Sequence, residues 1–138
     1  MPTESLCLCA ALRRASRAAT AAYDSALAPS GLRVTQFSVL RILARIGPVP
    51  VTRLAAEAAL ERSTMGRNLE PLARAGLVRL TPDPQDRRAR NAHITPAGEA
   101  AIAAAMPGWQ AAQRHVARLI PPAAIRALAD RLVALSTP

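Results

Sequence analysis

Lysine is missing from this 138-residue chain, and aromatic residues nearly so. All 18 basic positions are Arg, and against 9 acidic residues they give a formal net charge of +9. An all-Arg complement also fits GC-rich coding, but the physical consequence is the same. Arg carries a planar fork of donors suited to bidentate contact with phosphate or guanine. So basic a chain implies a polyanionic partner. The only aromatic rings belong to Tyr23, Phe37 and Trp109, too few for a surface on which unpaired bases stack, which argues against single-stranded nucleic acid. The core must then be built from Ala, Leu, Val and Ile. Each buries little area, so a lone protomer would be weakly held and a dimer is favoured.

Histidine and cysteine are equally scarce: His93, His115, Cys7 and Cys9. They show no metal-ligand spacing, and the chain has no Ser/His/Asp set and no Gly-rich phosphate loop. No enzyme activity, cofactor or metal is therefore expected. No apolar run reaches bilayer length, so no membrane partner is expected either. A short apolar stretch near the N-terminus has Glu4 before it and Arg13 and Arg14 after it, the reverse of a secretory signal. The expectation is a cytoplasmic protein whose cysteines start out reduced.

What is present is helical periodicity. Over residues 5–28, Leu8, Leu12, Ala15, Ala19, Ala22, Tyr23 and Leu27 recur at spacings of three and four, which predicts an amphipathic helix. Ala28-Pro29-Ser30-Gly31 ends it. Thr35 is expected to cap a second helix carrying Phe37, Leu40, Ile42 and Leu43. Thr52 is expected to cap a short third one, and to lie near a DNA backbone, with Leu54, Ala55 and Ala58 inward. After a turn at Leu60-Glu61, a fourth helix is expected from about Arg62 to Arg74, closed by Ala75-Gly76. Two short helices joined by a three-to-four-residue turn are the helix-turn-helix signature.

Leu77 to Thr81 and Arg90 to Thr95 alternate and pair as a hairpin around a polar turn from Pro82 to Arg88. Thr95-Pro96 opens a long helix to about Ile120, with a bend expected at Pro107. A last helix, residues 122–136, brings Ile125, Leu128, Leu132 and Leu135 into register. The whole reads α-α-α-α-β-β-α-α: mainly α with a small β-hairpin wing. It divides into an N-terminal dimerisation helix (1–30), a winged helix-turn-helix (31–96) and C-terminal dimerisation helices (97–138), in one intertwined unit.

The chemistry concentrates in residues 60–95. A recognition helix offers donors and acceptors from its first turns to the major groove. Arg62, Ser63, Thr64, Arg67 and Asn68 occupy those turns. Thr64 lies three residues from Arg67 and four from Asn68, so the three share a face. Arg67 suits guanine and Asn68 adenine, while Met65 and Leu69 point inward. Gly66 is out of place, since Gly inside a helix costs roughly 1 kcal/mol relative to Ala. It would allow close approach to a phosphate backbone. In the wing, Asp86, Arg87, Arg88 and Arg90 form a basic tip suited to the minor groove, with Asp86 expected to pair with Arg88 and hold it rigid.

Taken in order, these pieces resemble the MarR family of transcriptional regulators. The matching stretches are Val51-Thr52-Arg53-Leu54-Ala55, Glu61 through Asn68 to Gly76-Leu77-Val78, Asp83-Pro84-Gln85-Asp86-Arg87-Arg88, and Ile94-Thr95-Pro96-Ala97-Gly98. The resemblance covers nearly the whole chain. It implies a homodimer based on the first and last helices, a pseudo-palindromic double-stranded operator, and repression relieved by a small lipophilic effector or by cysteine oxidation. Two positions depart from the family pattern: Ala59 stands where Gly is usual, and Glu61 where Asp is usual.

Cys7 and Cys9 are the redox-sensor candidates, with Arg13 and Arg14 near enough in sequence to lower a thiol pKa. In a continuous helix, residues two apart point about 200° apart, which would keep the pair from closing a disulfide; an extended N-terminus would permit it. Tyr23, Phe37, Met106 and Trp109 are candidates to line an effector pocket, and each also fits ordinary core packing. Two other classes compete with a regulator. One is a sequence-neutral architectural DNA binder, which would not need the Arg/Asn pair. The other is a winged helix that binds protein, against which Arg62, Arg67 and Asn68 speak.

Overall fold

The computed structural model describes residues 6–136. Its elements are α1 (Leu8–Leu27), α2 (Val34–Ile46), β1 (Val49–Pro50), α3 (Val51–Glu57), α4 (Arg62–Arg74), β2 (Val78–Asp83), β3 (Asp86–Ile94), α5 (Pro96–Leu119) and α6 (Pro122–Val133). Single 3-10 turns follow α1 and α6. The expected helices all form, and the hairpin follows α4 as read. The chain is mainly helical with one small antiparallel sheet, the arrangement of a winged helix-turn-helix.

One element is new. The two-residue strand β1 pairs with β3, Val49 opposite Ala92, and the sheet order is β1-β3-β2. Two residues are too few to show a period, so only the partner strand reveals β1. Its pairing also moves the start of α3. Pro50 ends the extended segment at φ −57° and ψ 144°, so Thr52 falls inside the first turn and caps nothing. Thr35 is likewise displaced as the expected cap of α2. The carboxylate of Asp24, on α1, accepts from Val34 N–H at 2.8 Å, and the Gln36 amide oxygen accepts from Arg33 N–H at 3.0 Å. With those donors satisfied, the cap falls on Arg33 and the helix begins at Val34, two residues earlier than a Thr35 cap would set it.

The core gathers apolar positions from every element between α1 and the start of α5. Leu27, Phe37, Leu40, Leu43, Leu54, Met65, Leu69, Leu72, Val78 and Ala92 are all buried. Met65 and Leu69 therefore turn inward, as their spacing required, and each such large side chain contributes roughly 1.5–3 kcal/mol. Two glycines permit close contacts that a methyl group would block. A Cβ at Gly98 would clash with the Leu77 carbonyl oxygen, and one at Gly108 would sit 2.5 Å from the Ala26 carbonyl oxygen. Gly108 thus lets α5 lie against the C-terminal end of α1. The α5 helix runs uninterrupted through Pro107.

Thr95 fixes the base of the wing. Its hydroxyl accepts from Gly98 N–H at 3.0 Å, capping α5, and donates to the Gly76 carbonyl at 2.6 Å. One side chain therefore ties the end of α4 to the start of α5 on either side of the hairpin.

Candidate nucleic-acid interface

The α4 helix packs Met65, Leu69 and Leu72 into the core, which turns Arg62, Ser63, Gly66, Arg67, Glu70 and Arg74 to solvent. Thr64 and Asn68 are half-buried between the two faces. The Asn68 amide nitrogen donates to the Thr64 carbonyl at 3.0 Å, and Arg67 reaches the Thr64 hydroxyl at 3.4 Å, the long limit of such a bond. Arg67 and Asn68 are thus brought together on one side of Thr64, but only Arg67 projects freely. Glu61 precedes the helix and makes no side-chain cap.

The wing differs from the expected tight loop. Strands β2 and β3 extend much further out, and only Pro84 and Gln85 lie between them. Arg87, Arg88 and Arg90 are therefore strand residues. Pro82 pairs with Arg90 and Asp83 with Asp86, so Arg87, Arg88 and Ala89 bulge from β3 without partners on β2. The two aspartates organise this tip. Asp83 accepts from Gln85 N–H and Asp86 from Arg88 N–H, both at 2.9 Å. Asp86 braces the Arg88 backbone rather than its guanidinium: its carboxylate takes the amide two residues on, and among the described residues the two side chains form no ion pair.

Helix and wing face each other across a groove of about 590 Å³. Arg62, Gly66 and Arg74 of α4, Arg88 and Arg90 of the wing, and Thr52 near the start of α3 line it. Thr52 thus stands beside the candidate interface although it caps no helix. Arg74, exposed and 3.9 Å from Glu70, was absent from the sequence-derived set. The spacing 62-66-70-74 along one helical face was the signal that could have found it.

Of the four effector-pocket candidates, only Phe37 and Trp109 meet at a recess. Phe37 is fully buried and its ring lies 5.7 Å from that of Trp109. Met106 packs against the core. The Tyr23 hydroxyl donates to the Gln113 side chain, and partial burial raises its pKa. A recess of about 370 Å³ is instead lined by Phe37, Ser38, Arg41, Ile42, Arg45 and Trp109, with the Arg41 guanidinium stacked 4.4 Å from the Trp109 ring. Tyr23 and Met106 fall outside it because the recess opens between α2 and one turn of α5. Arg41 and Arg45 follow Phe37 at intervals of four, a spacing that could have placed them there.

At the N-terminal end, Cys7 and Cys9 are both exposed. Cys7 is in extended backbone, with φ −72° and ψ 108°, and α1 starts after it. Among the described residues, no three His, Cys, Asp or Glu side chains gather as a metal site. No helix among them is long and apolar enough to cross a membrane.

A recognition helix beside a basic hairpin defines a winged helix-turn-helix protein, and comparison with known proteins places it further. The MarR family model matches residues 32–89. The chain is 38% identical to the M. tuberculosis transcriptional regulator MosR, solved in complex with DNA; 95% of this chain and 97% of MosR are covered, with a TM-score of 0.85. The chain therefore belongs to the MarR family of transcriptional regulators, DNA-binding proteins rather than enzymes. It is also similar to the transcriptional repressor CouR bound to a 23-mer DNA duplex, with 27% identity, 99% and 97% coverage and a TM-score of 0.79. Similarity extends to BpsR of Bordetella bronchiseptica, whose DNA binding is regulated by 6-hydroxynicotinic acid, with 25% identity, 94% and 98% coverage and a TM-score of 0.77. No curated protein matches the chain.

Proposed function

We propose that this protein is a homodimeric repressor that reads a pseudo-palindromic operator in double-stranded DNA and is released by a small effector or by cysteine oxidation. The observation that carries this reading is the shared groove, lined by exposed arginines of α4 and of the wing. On this reading Arg67 and Ser63, on the exposed face of α4, take the major groove, and Arg87, Arg88 and Arg90 the adjacent minor groove and its phosphates. The relatives MosR and CouR, each solved with DNA, support it. Footprinting on DNA upstream of the protein's own gene tests it. A protected palindrome is expected, whereas uniform coverage would favour a sequence-neutral architectural binder.

Release has two supported routes. The Phe37–Trp109 recess offers an apolar floor rimmed by Arg41 and Arg45, which suits a small amphipathic molecule. Both thiols are exposed, and the extended backbone at Cys7 frees the pair from helical geometry. A thiolate would attack one oxygen of hydrogen peroxide, breaking the O–O bond to give a sulfenic acid and hydroxide, and the other thiol would then displace water from the sulfenic sulfur to close a disulfide. Operator binding measured before and after peroxide, in wild type and in Cys7→Ser, separates the routes. Loss of binding in wild type alone supports oxidation.

A further inference from the structure

We propose that Thr95 is a positioning residue for DNA binding, its hydroxyl a clasp at the root of the hairpin that holds the wing at a fixed angle to α4. This role rests on the reading of the protein as a binder of duplex DNA through both elements. Only Ala75, Gly76 and Leu77 lie between α4 and β2, and only Thr95 lies between β3 and α5. Thr95 fastens the two junctions to each other. Its N–H donates to the Leu77 carbonyl at 3.2 Å, its hydroxyl donates to the Gly76 carbonyl at 2.6 Å, and its hydroxyl oxygen accepts from Gly98 N–H at 3.0 Å. Gly98 belongs to the same joint, since a Cβ there would run into the Leu77 carbonyl and the Ile94 side chain. Gly76, at φ +75°, is the position of the joint with the widest backbone freedom, and the hydroxyl bond falls on it.

Capping of α5 does not account for the bond to Gly76. A helix cap needs only an acceptor for an amide of the first turn, and Asp or Asn serves as well as Thr. The proton given to Gly76 satisfies no group of α5; it reaches back across the hairpin to the end of α4. Its use lies at the far end of the wing. Arg88 is seven residues from Thr95 along the chain, roughly 20 Å at the rise of a strand. Over that length a tilt of about 6° at the root moves the tip by roughly 2 Å, enough to carry a guanidinium out of hydrogen-bond range of a phosphate. A fixed root lets α4 and the wing meet one duplex in a single geometry, with less freedom left to lose on binding.

Thr95→Val removes the hydroxyl at nearly constant volume, and Thr95→Ser keeps it. Both are made in the full-length protein, with the wing arginines intact and in an Arg87→Ala, Arg88→Ala background. Each is titrated with a labelled mixed-sequence duplex of about 30 base pairs, long enough for two half-sites. With the arginines intact, Thr95→Val is expected to weaken binding roughly three- to tenfold, and Thr95→Ser by less than about twofold. Without them, Thr95→Val is expected to change affinity by less than about twofold, although sites roughly 20 Å apart are ordinarily additive. Loss of a helix cap lowers the unfolding temperature in both backgrounds alike and would not produce that difference. An equal loss with and without the arginines, wild-type affinity in Thr95→Val, or a Thr95→Ser protein as weak as Thr95→Val would each overturn the proposal and leave DNA binding in place. Should Thr95→Val fail to fold, Thr95→Asp carries the same comparison: it caps α5, has no proton for Gly76, and its added charge acts alike in both backgrounds. A wild-type protein that fails to bind the duplex would remove the underlying reading and the proposal with it.

Discussion

Two residues in matched positions show how a single side chain shifts the balance of this fold. Both α3 and α4 end in the same motif. Leu60 N–H donates to the Ala55 carbonyl and Ala59 N–H to that of Ala56; Leu77 N–H donates to the Leu72 carbonyl and Gly76 N–H to that of Ala73. The residue in the left-handed region is Gly76 after α4, at φ +75°, but Ala59 after α3, at φ +54°. For an L side chain that conformation costs roughly 1–2 kcal/mol, partly offset because glycine is freer when unfolded. Ala59→Gly should therefore raise stability by about 0.5–1 kcal/mol, read as a higher urea midpoint with unchanged slope. The departure from family pattern seen in the sequence thus has a physical meaning at this turn. Arg67 is the second residue-scale case. It is exposed while Asn68 is held by the helix backbone, so base reading should rest more on Arg67. Arg67→Ala is expected to lose about 1–3 kcal/mol on the operator and to relax one base position. Binding to a set of single-base operator variants checks it, and an unchanged preference would remove Arg67 from the reading set.

At the scale of elements, what was legible depended on whether packing imposed a period. The helices were readable because their buried positions recur every three or four residues, and the inner part of β3 because Ala92 and Ile94 alternate toward the core. The outer part of β3, from Asp86 to Arg88, faces water and shows no alternation, so its sequence reads as a turn. Its strand form comes from cross-strand pairing, which no local pattern encodes, while the two aspartate bonds to the amides two residues on are local. Thr35 and Thr52 were misread as caps for a related reason: Asp24 and the β1 pairing, each supplied from elsewhere in the fold, fix those helix starts. Arg41 and Arg45 carry no apolar signal of their own, and only the approach of Trp109 to α2 makes them the rim of a recess. The wing permits a test that separates brace from charge. Asp86→Asn keeps an acceptor for Arg88 N–H and removes a negative charge near DNA, so it should bind mixed-sequence duplex at least as tightly as wild type. Asp86→Ala loses the acceptor as well and should bind about 1 kcal/mol more weakly than Asp86→Asn. Faster amide exchange at Arg88 in the Ala variant would show the loosened tip. Equal affinity and exchange in the two variants would rule out the brace.

At the scale of the whole molecule, the large apolar side chains left uncovered among the described residues lie on or just before α1, at the end of α5 and along α6 with the turn after it. Leu6 and Leu8 are 57% and 67% exposed at the start of α1, Leu119 72% at the end of α5, and Val133 and Leu135 66% and 82% around the end of α6. The α6 helix contains no buried residue at all. Such faces call for a partner, and a second copy of the chain satisfies both protomers with the same contacts. In the proposed dimer these ends form the base, and the distance between the two α4 helices sets the spacing of the half-sites. Ile125 and Leu128 lie three apart on α6 and are 39% and 49% exposed, so charging them should disturb association more than the protomer fold. Ile125→Glu with Leu128→Glu is expected to halve the mass seen in sedimentation. Operator affinity should fall by roughly 10²–10⁴, because the second half-site is no longer bound as a tethered event. Binding to a single half-site should change little, since α4 and the wing are untouched. A double variant that remains dimeric would move the base away from α6. One that becomes monomeric yet keeps full operator affinity would show that each winged helix reads its DNA alone.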